Sequence, residues 1–218
     1  MRHTGMSPIV EAWATCRTSN ALNWPPDRLL QAKGHATVSV VIPARNEAAT
    51  VGTIVTVIRT ALVQSVPVVD EVIVVDSRSV DQTADEARAA GATVVAQEDI
   101  TGGLPPMHGK GGAMWAGLAA ASGDIVAFVD ADVDPFDPCF VSGLLGPLLT
   151  DPSISFVKGF YHRPLRSGGY SEPDGGGRVT ELVARPLLNP ATSKKLNGIR
   201  EPVATTLGAS AMTARISA

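Results

Sequence analysis

The chain has 218 residues, of which 44% are hydrophobic and 18% charged, with a formal net charge of −3. These values are ordinary for a folded globular protein and allow one domain with a proper core. The charge argues against a nucleic-acid-binding protein, and no apolar run reaches the ~20 residues of a membrane span. Residues 1–20 lack the apolar core of a signal peptide. Cys16 and Cys139 fit no metal-binding spacing, so we expect reduced thiols in a cytoplasmic protein.

Strand and helix patterns alternate from residue 37 onward. Residues 1–36 have no sustained periodicity and predict a loose N-terminal arm with at most a short helix. Apolar runs predict strands at 37–42, 71–75, 92–96, 125–129 and 154–161. Helical spacing follows at 51–62, 79–91, 110–121 and 136–149. This order predicts a parallel, doubly wound α/β domain over residues 37–188. The tail, residues 189–218, has no clear strand and is expected to be poorly ordered.

Asp130-Ala131-Asp132 follows the predicted strand 125–129 directly. Strand side chains alternate between faces, so Asp130 and Asp132 are predicted to point the same way. Mg²⁺ binds through one or two carboxylates together with substrate phosphates and water. The pair therefore indicates a metal site for a diphosphate, with a solvated acidic turn as the alternative. A calcium-binding EF-hand is excluded, because Pro135 and Val141 occupy its glycine and glutamate positions.

Two other polar clusters, Pro43–Glu47 and Asp76–Ser79, also follow predicted strands. Ligands of doubly wound sheets bind beyond the carboxyl ends of the strands, so three clusters at that edge argue against a mere acidic turn. Lys110 at a helix start can place its ammonium near a diphosphate or a sugar, or be simply solvated. Glu47, beside Arg45, can bind a ribose or base, or cap the first helix.

The sequence around Lys110 does not match either of two common nucleotide-binding motifs. A P-loop needs glycine at position 104 and serine or threonine at 111, where the chain has Leu104 and Gly111. A dinucleotide fingerprint needs glycine at position 114, which is Met114. Kinase and oxidoreductase functions are therefore disfavoured, and a nucleotide-sugar site remains.

Gly175–Thr180 is a second candidate anion site. Consecutive glycines let backbone N–H groups approach an anion, and Arg178 adds a bidentate donor. A flexible loop with a surface arginine is the alternative. An acceptor phosphate here and a donor diphosphate at Asp132 would suit a transferase that joins an activated group to a phosphorylated acceptor.

Several segments together resemble a known family. They are Val41–Glu47, Ile73–Ser77, Gly109–Gly111, Asp130–Asp132, Phe156–Leu165 and Gly176–Leu188. Over residues 39–188 the chain resembles the glucosyl-3-phosphoglycerate synthases, which are retaining glycosyltransferases with the GT-A nucleotide-diphospho-sugar transferase fold. The resemblance implies transfer of glucose from UDP-glucose, or another nucleotide-glucose, to the 2-hydroxyl of 3-phosphoglycerate. It implies retention of configuration, Mg²⁺ (or Mn²⁺) as the cofactor, and a homodimer.

The resemblance also implies residue roles. The uracil and ribose would be held by Pro43, Ala44, Arg45, Asn46, Glu47 and Ser77. The rest of the nucleotide sugar would contact Lys110, Asp130 and Ala131. Asp132 would ligate the metal in this DXD motif. The phosphoglycerate would be bound by Gly177, Arg178, Val179 and Thr180. No protein nucleophile is implied, so the catalytic residue stays unassigned.

The resemblance ends at Leu188, whereas the family continues and supplies a second metal ligand, a histidine. All four histidines of this chain precede that point. We therefore expect UDP-sugar binding with Mg²⁺ but weak transfer. Two alternatives stay open: another GT-A transferase of the polyprenyl-phosphate or polysaccharide type, and a non-catalytic nucleotide-binding remnant.

Overall fold

The structure, a computed structural model, describes residue 12, residues 16–100, residue 107 and residues 109–160, and the backbone of four strands beyond them. The strands are β1 Thr18–Asn20, β2 Val38–Ala44, β3 Glu71–Asp76, β4 Thr93–Ala96, β5 Ile125–Val129, β6 Phe156–Phe160, β7 Leu165–Ser167, β8 Tyr170–Glu172, β9 Val203–Thr206 and β10 Ala211–Arg215. The helices are α1 Pro26–Lys33, α2 Val51–Ile58, α3 Thr83–Ala89, α4 Gly109–Ala120 and α5 Cys139–Thr150. A 3₁₀ turn, Ala21–Asn23, precedes α1, and a π-helical segment, Arg59–Ser65, continues α2.

Four parallel strands form one half of the main sheet, in the order β4-β3-β2-β5, with β4 at the edge. Helices connect them because parallel neighbours cannot be joined by a hairpin. On one face, Val40 and Ile42 of β2 pack with the apolar side of α2. On the other face, Val41 packs with Ala113 and Ala116 of α4. Strands β2, β3 and β5 are thus buried on both sides, which explains their continuous apolar runs. The prediction of a doubly wound α/β domain is confirmed.

Helix α4 lies unusually close to the sheet at Gly117. A Cβ built on Gly117 would lie 2.3 Å from Val41 Cγ1 and 3.1 Å from Val75 Cγ2. The close approach sets the position of α4, and with it the position of Lys110 in the first turn of the helix.

The complete sheet is mixed and wider than predicted. Its strand order is β1-β9-β6-β10-β5-β2-β3-β4, with β10 antiparallel to both β5 and β6. Strands β9 and β10 lie in the tail, residues 189–218, where the sequence predicted no strand. That prediction is wrong for 203–206 and 211–215. The reason is that both segments pair with strands far away along the chain, which local patterns do not reveal.

The N-terminal arm is also more ordered than predicted. Leu29 of α1 is fully buried, and α1 packs against α5. Trp24 lies against the helix at Gly146, where an added Cβ would come within 2.1 Å of Trp24 Cδ2. The indole N–H of Trp24 donates a hydrogen bond of 2.6 Å to Ser19 Oγ. The short helix that the prediction allowed is present as α1, but residues 18–33 are packed on the domain and not loose.

Candidate functional site

The loop after β2 is tied to the loop after β3. Asn46 donates its backbone N–H to Ser79 Oγ at 2.9 Å, and its side-chain Oδ1 accepts the N–H of Val80 at 2.9 Å. Asn46 has φ of 59°, a conformation that asparagine tolerates better than most residues. Asn46 lies outside the helix that follows, because the N-cap of α2 is Thr50 and the helix begins at Val51. Arg45 of the same loop is exposed.

Glu47 lies among other carboxylates at this edge. Its backbone N–H donates to Thr83 Oγ1 at 2.8 Å. Burial raises the pKa of the Glu47 carboxyl above its ordinary value, and the negative charges of Asp132 and Asp81 raise it further. The charges of Asp132 and Asp81 therefore act on Glu47, and Asp132 itself is exposed, with no ion pair to a described cation. Such a region attracts a divalent cation.

Asp81 has a different role from Asp132. Its carboxylate accepts the Thr83 hydroxyl at 2.5 Å and the backbone N–H of Ala48 at 3.2 Å. The Thr83 hydroxyl is the main cause that lowers the pKa of Asp81. Asp81 thus joins the loop after β2 to the start of α3.

Asp130 and Asp132 have different neighbours. Strand β5 ends at Val129, so the alternation that would place both carboxylates on one face does not extend to them. Asp130 is sheltered, with 14% of its side chain exposed, and forms an ion pair with Lys110, which is 61% exposed. Asp132 is exposed, and its negative charge contributes to the raised pKa of Glu47. The cluster therefore offers one paired carboxylate and one available for a ligand.

Ala131, between the two, is buried and held by its backbone. Its carbonyl accepts the hydroxyl of Thr50 at 2.6 Å, which ties the turn after β5 to the start of α2. Its small apolar side chain lies in the buried core, which explains how alanine can occupy the middle of the motif.

Ser77 continues the same edge at the end of β3. Its backbone N–H donates to the carbonyl of Ala44 at 2.8 Å, beside Pro43 and the loop after β2. Its hydroxyl donates to Gln97 Oε1 at 2.5 Å. The structure thus brings the predicted donor-site residues of three strand ends and the α4 start together.

Sequence reasoning missed four residues of this edge: Thr50, Asp81, Thr83 and Gln97. Gln97 directly follows β4, so the rule that ligands bind at carboxyl ends of strands could have singled it out. The other three support loops through contacts between segments, for which the sequence has no local signal.

The donor set fits Mg²⁺ or Mn²⁺ held partly by a ligand. Across the residues that the structure describes, no three His, Cys, Asp or Glu side chains are grouped as a metal site. Oxygen ligands in small number suit a cation that keeps waters and binds substrate phosphates. The predicted acceptor residues Gly177, Arg178, Val179 and Thr180 lie outside the described residues.

Comparison with known proteins now identifies the family. The model of glycosyl transferase family 2 matches residues 39–208, and so extends past Leu188. The chain belongs to this family. Among family 2 relatives, the glucosyl-3-phosphoglycerate synthase of Mycolicibacterium smegmatis is 49% identical over 191 residues, which are 88% of this chain and 62% of that protein. The resemblance to these synthases is confirmed.

Solved structures confirm the GT-A fold of this family 2 chain. Mannosyl-3-phosphoglycerate synthase from Rubrobacter xylanophilus superposes with a TM-score of 0.78 at 39% identity, covering 94% of this chain and 62% of that one. Glucosyl-3-phosphoglycerate synthase from Mycobacterium tuberculosis, in complex with Mn²⁺, UDP and glucosyl-3-phosphoglycerate, gives 0.68 at 42% identity, covering 88% and 61%. Another complex of that enzyme contains Mg²⁺ and UDP.

The chain thus spans about three fifths of the length of these relatives. In the part that the structure describes, no helix is both long and apolar enough to cross a membrane.

Proposed function

We propose that this chain provides the nucleotide-sugar site of a retaining hexosyltransferase that moves glucose from UDP-glucose to the 2-hydroxyl of 3-phosphoglycerate. The observation that carries the proposal is the cluster at the carboxyl edge of the sheet. There, Asp132 lies close enough to Glu47 to raise its pKa, while Asp130 is already paired with Lys110. The carboxylates outnumber the one ammonium, that of Lys110, and this excess of negative charge suits a divalent cation. The cation can in turn bind the oxygens of a diphosphate.

Different loops at this edge would bind different parts of the nucleotide sugar. Pro43, Ala44, Arg45, Asn46, Glu47 and Ser77 would hold the base and ribose. Lys110, Asp130 and Ala131 would contact the rest of the nucleotide sugar. The cation, Mg²⁺ or Mn²⁺, would be held by Asp132 and would supply positive charge to the departing diphosphate. Lys110 can leave Asp130 for a phosphate oxygen, because its side chain is mostly exposed.

Glucose and phosphoglycerate are proposed from the relatives. The relative with 49% identity carries the name of a glucosyl transferase, while the structure with a TM-score of 0.78 belongs to a mannosyl transferase. Both names share 3-phosphoglycerate as the acceptor. We propose that its phosphate binds Gly177, Arg178, Val179 and Thr180. We also propose a cytoplasmic homodimer, since the substrates are charged metabolites and the resemblance implies two subunits.

The test measures binding before transfer. Isothermal titration with UDP should show binding that requires Mg²⁺, and UDP-glucose should be hydrolysed or transferred only when Mg²⁺ is present. Product analysis with UDP-glucose and GDP-mannose then identifies the sugar, and the anomeric configuration of the product tests retention. Absence of Mg²⁺-dependent UDP binding would contradict the proposal.

The acceptor site needs a separate test. Arg178→Ala should leave UDP affinity unchanged and weaken 3-phosphoglycerate binding roughly tenfold or more, because a charged hydrogen bond to phosphate is lost. Unchanged acceptor affinity would show that the phosphate binds elsewhere. A transfer screen that finds a lipid phosphate or a polysaccharide as the preferred acceptor would overturn the choice of 3-phosphoglycerate.

A further inference from the structure

The side-chain amide of Gln97 connects the donor edge to the segment before α4. Its Oε1 accepts the Ser77 hydroxyl at 2.5 Å, and its Nε2 donates to the backbone carbonyl of Met107 at 2.6 Å. We propose that Gln97 is a positioning residue that makes the Ser77 hydroxyl a hydrogen-bond acceptor and thereby selects a nucleobase with a ring N–H. The inference rests on the proposed function, in which Ser77 lies against the nucleotide.

The orientation of the amide follows from its partners. A backbone carbonyl only accepts hydrogen bonds, so the NH₂ group of Gln97 must face Met107. The opposite end of the amide, Oε1, must then face Ser77. An amide turned the other way would place two acceptors against each other at Met107.

Ser77 consequently has no donor left for a ligand. Its hydroxyl proton goes to Gln97, and its backbone N–H goes to the carbonyl of Ala44 at 2.8 Å. What the hydroxyl still offers is lone pairs. Uracil and guanine carry a ring N–H that can donate to them. Cytosine and adenine carry a ring lone pair at the corresponding position, which would be repelled.

The packing of α4 holds this arrangement in place. A Cβ added at Gly112 would lie 2.5 Å from Gln97 Nε2 and 2.7 Å from the Met107 carbonyl oxygen. Its neighbour Gly111 has no other atom within 4 Å of such a Cβ. The absence of a side chain at Gly112 therefore makes room for the Gln97 amide. Gly112 lies in the same helical turn as Lys110.

The first experiment compares UDP and CDP, which differ only in the base. Dissociation constants are measured with Mg²⁺ by titration calorimetry for the unaltered chain, Gln97→Met and Gln64→Met. The unaltered chain should bind UDP roughly tenfold more tightly than CDP, because CDP places a ring lone pair against the lone pairs of the partly buried Ser77 hydroxyl. Gln97→Met should bring the ratio to within about twofold, since the released Ser77 hydroxyl can rotate and donate to cytosine. Gln64→Met makes the same change on an exposed side chain and should keep the ratio.

A second pair of variants displaces the amide without replacing it. Gly112→Ala should reduce the preference for UDP over CDP, because its methyl group enters the space of Gln97 Nε2. Gly111→Ala adds the same methyl group in open space and should keep the preference. This pair gives a result even if Gln97→Met folds poorly.

Each other outcome overturns a defined statement. If the unaltered chain binds neither UDP nor CDP with Mg²⁺, the proposed function fails and this inference fails with it. If it binds both equally well, the nucleotide site stands and base selection by Ser77 is wrong. If Gln97→Met weakens UDP and CDP by the same factor, Gln97 only supports the fold.

Discussion

Glu71 at the amino edge of the sheet and Glu47 at the carboxyl edge have opposite electrostatic surroundings. At the amino edge, Glu71 accepts hydrogen bonds from the Ser39 hydroxyl at 2.5 Å, the Ser122 N–H at 2.7 Å and the Ser122 hydroxyl at 2.8 Å. Burial alone would raise the pKa of Glu71, but these hydrogen bonds outweigh it and the pKa is lowered. At the carboxyl edge, burial and neighbouring carboxylates raise the pKa of Glu47.

Asp70 and Asp124 complete the contrast at the amino edge. Asp70 accepts the backbone N–H of Val38 at 2.7 Å and pairs with Lys33 at 2.8 Å. Asp124 accepts the backbone N–H and the hydroxyl of Thr37 at 2.8 and 2.9 Å, and the same two hydrogen bonds lower its pKa. Carboxylates satisfied by their own chain stabilise the fold, whereas an exposed, poorly compensated cluster is suited to a ligand.

The largest expected effect tests the carboxyl edge. Asp132→Ala should weaken Mg²⁺-dependent UDP binding roughly 100-fold or more, because even changes behind a metal ligand cost 10- to 100-fold. The free energy of unfolding should not fall, since removing Asp132 relieves repulsion with Glu47. Calorimetry and urea unfolding measure the two quantities. Asp85→Ala, the same change on an exposed residue of α3, is the control. Unchanged UDP affinity in Asp132→Ala would show that the metal does not bind at this edge of the sheet.

The amino edge should respond in the reverse manner. Glu71→Ala should lower the free energy of unfolding by about 2–3 kcal/mol, because it removes charge-assisted hydrogen bonds and leaves Ser39 and Ser122 with fewer partners. UDP affinity should stay the same. Urea unfolding measures the loss. The control is Glu98→Ala, because the Glu98 carboxylate is exposed and makes a long ion pair of 3.9 Å with Arg78 Nε. A large loss of UDP affinity in Glu71→Ala would break the distinction between the edges.

Strands β2, β3 and β5 could be predicted because they are buried on both faces and so form unbroken apolar runs in the sequence. Residues 125–129 were predicted and observed with the same bounds. Strand β10 could not be predicted, because Ala211–Arg215 becomes a strand by pairing with β5 and β6. In the site, the polar clusters at strand ends were predictable. The position of Gln97 directly after β4 was predictable in the same way, but its two hydrogen bonds were not, since its partners lie 20 and 10 residues away.

A smaller effect tests how the metal motif is supported. Thr50→Val removes the hydrogen bond to the Ala131 carbonyl at almost constant volume. It should cost about 1 kcal/mol of stability and lower UDP affinity about fivefold, because the turn bearing Asp132 loses a support. Thr56→Val is the matched control, as its hydroxyl only bonds Gly52 of the same helix. Equal effects of both variants on UDP affinity would show that the Thr50 contact has no special role.

The smallest effect separates the edges by pH. The raised pKa of Glu47 means that stability should rise as pH falls from neutral through that pKa, ending near its ordinary value of 4.5. The lowered pKa values of Glu71 and Asp124 mean that their stabilisation is complete above 4.5 and 3.8 and is lost below those values. Urea unfolding from neutral to acid pH should show both phases. Glu47→Gln should remove the first and keep the second, and Glu71→Gln should weaken only the second. If Glu47→Gln leaves the first phase intact, that phase does not come from Glu47, and the burial and neighbouring charges at this carboxyl do not destabilise the fold.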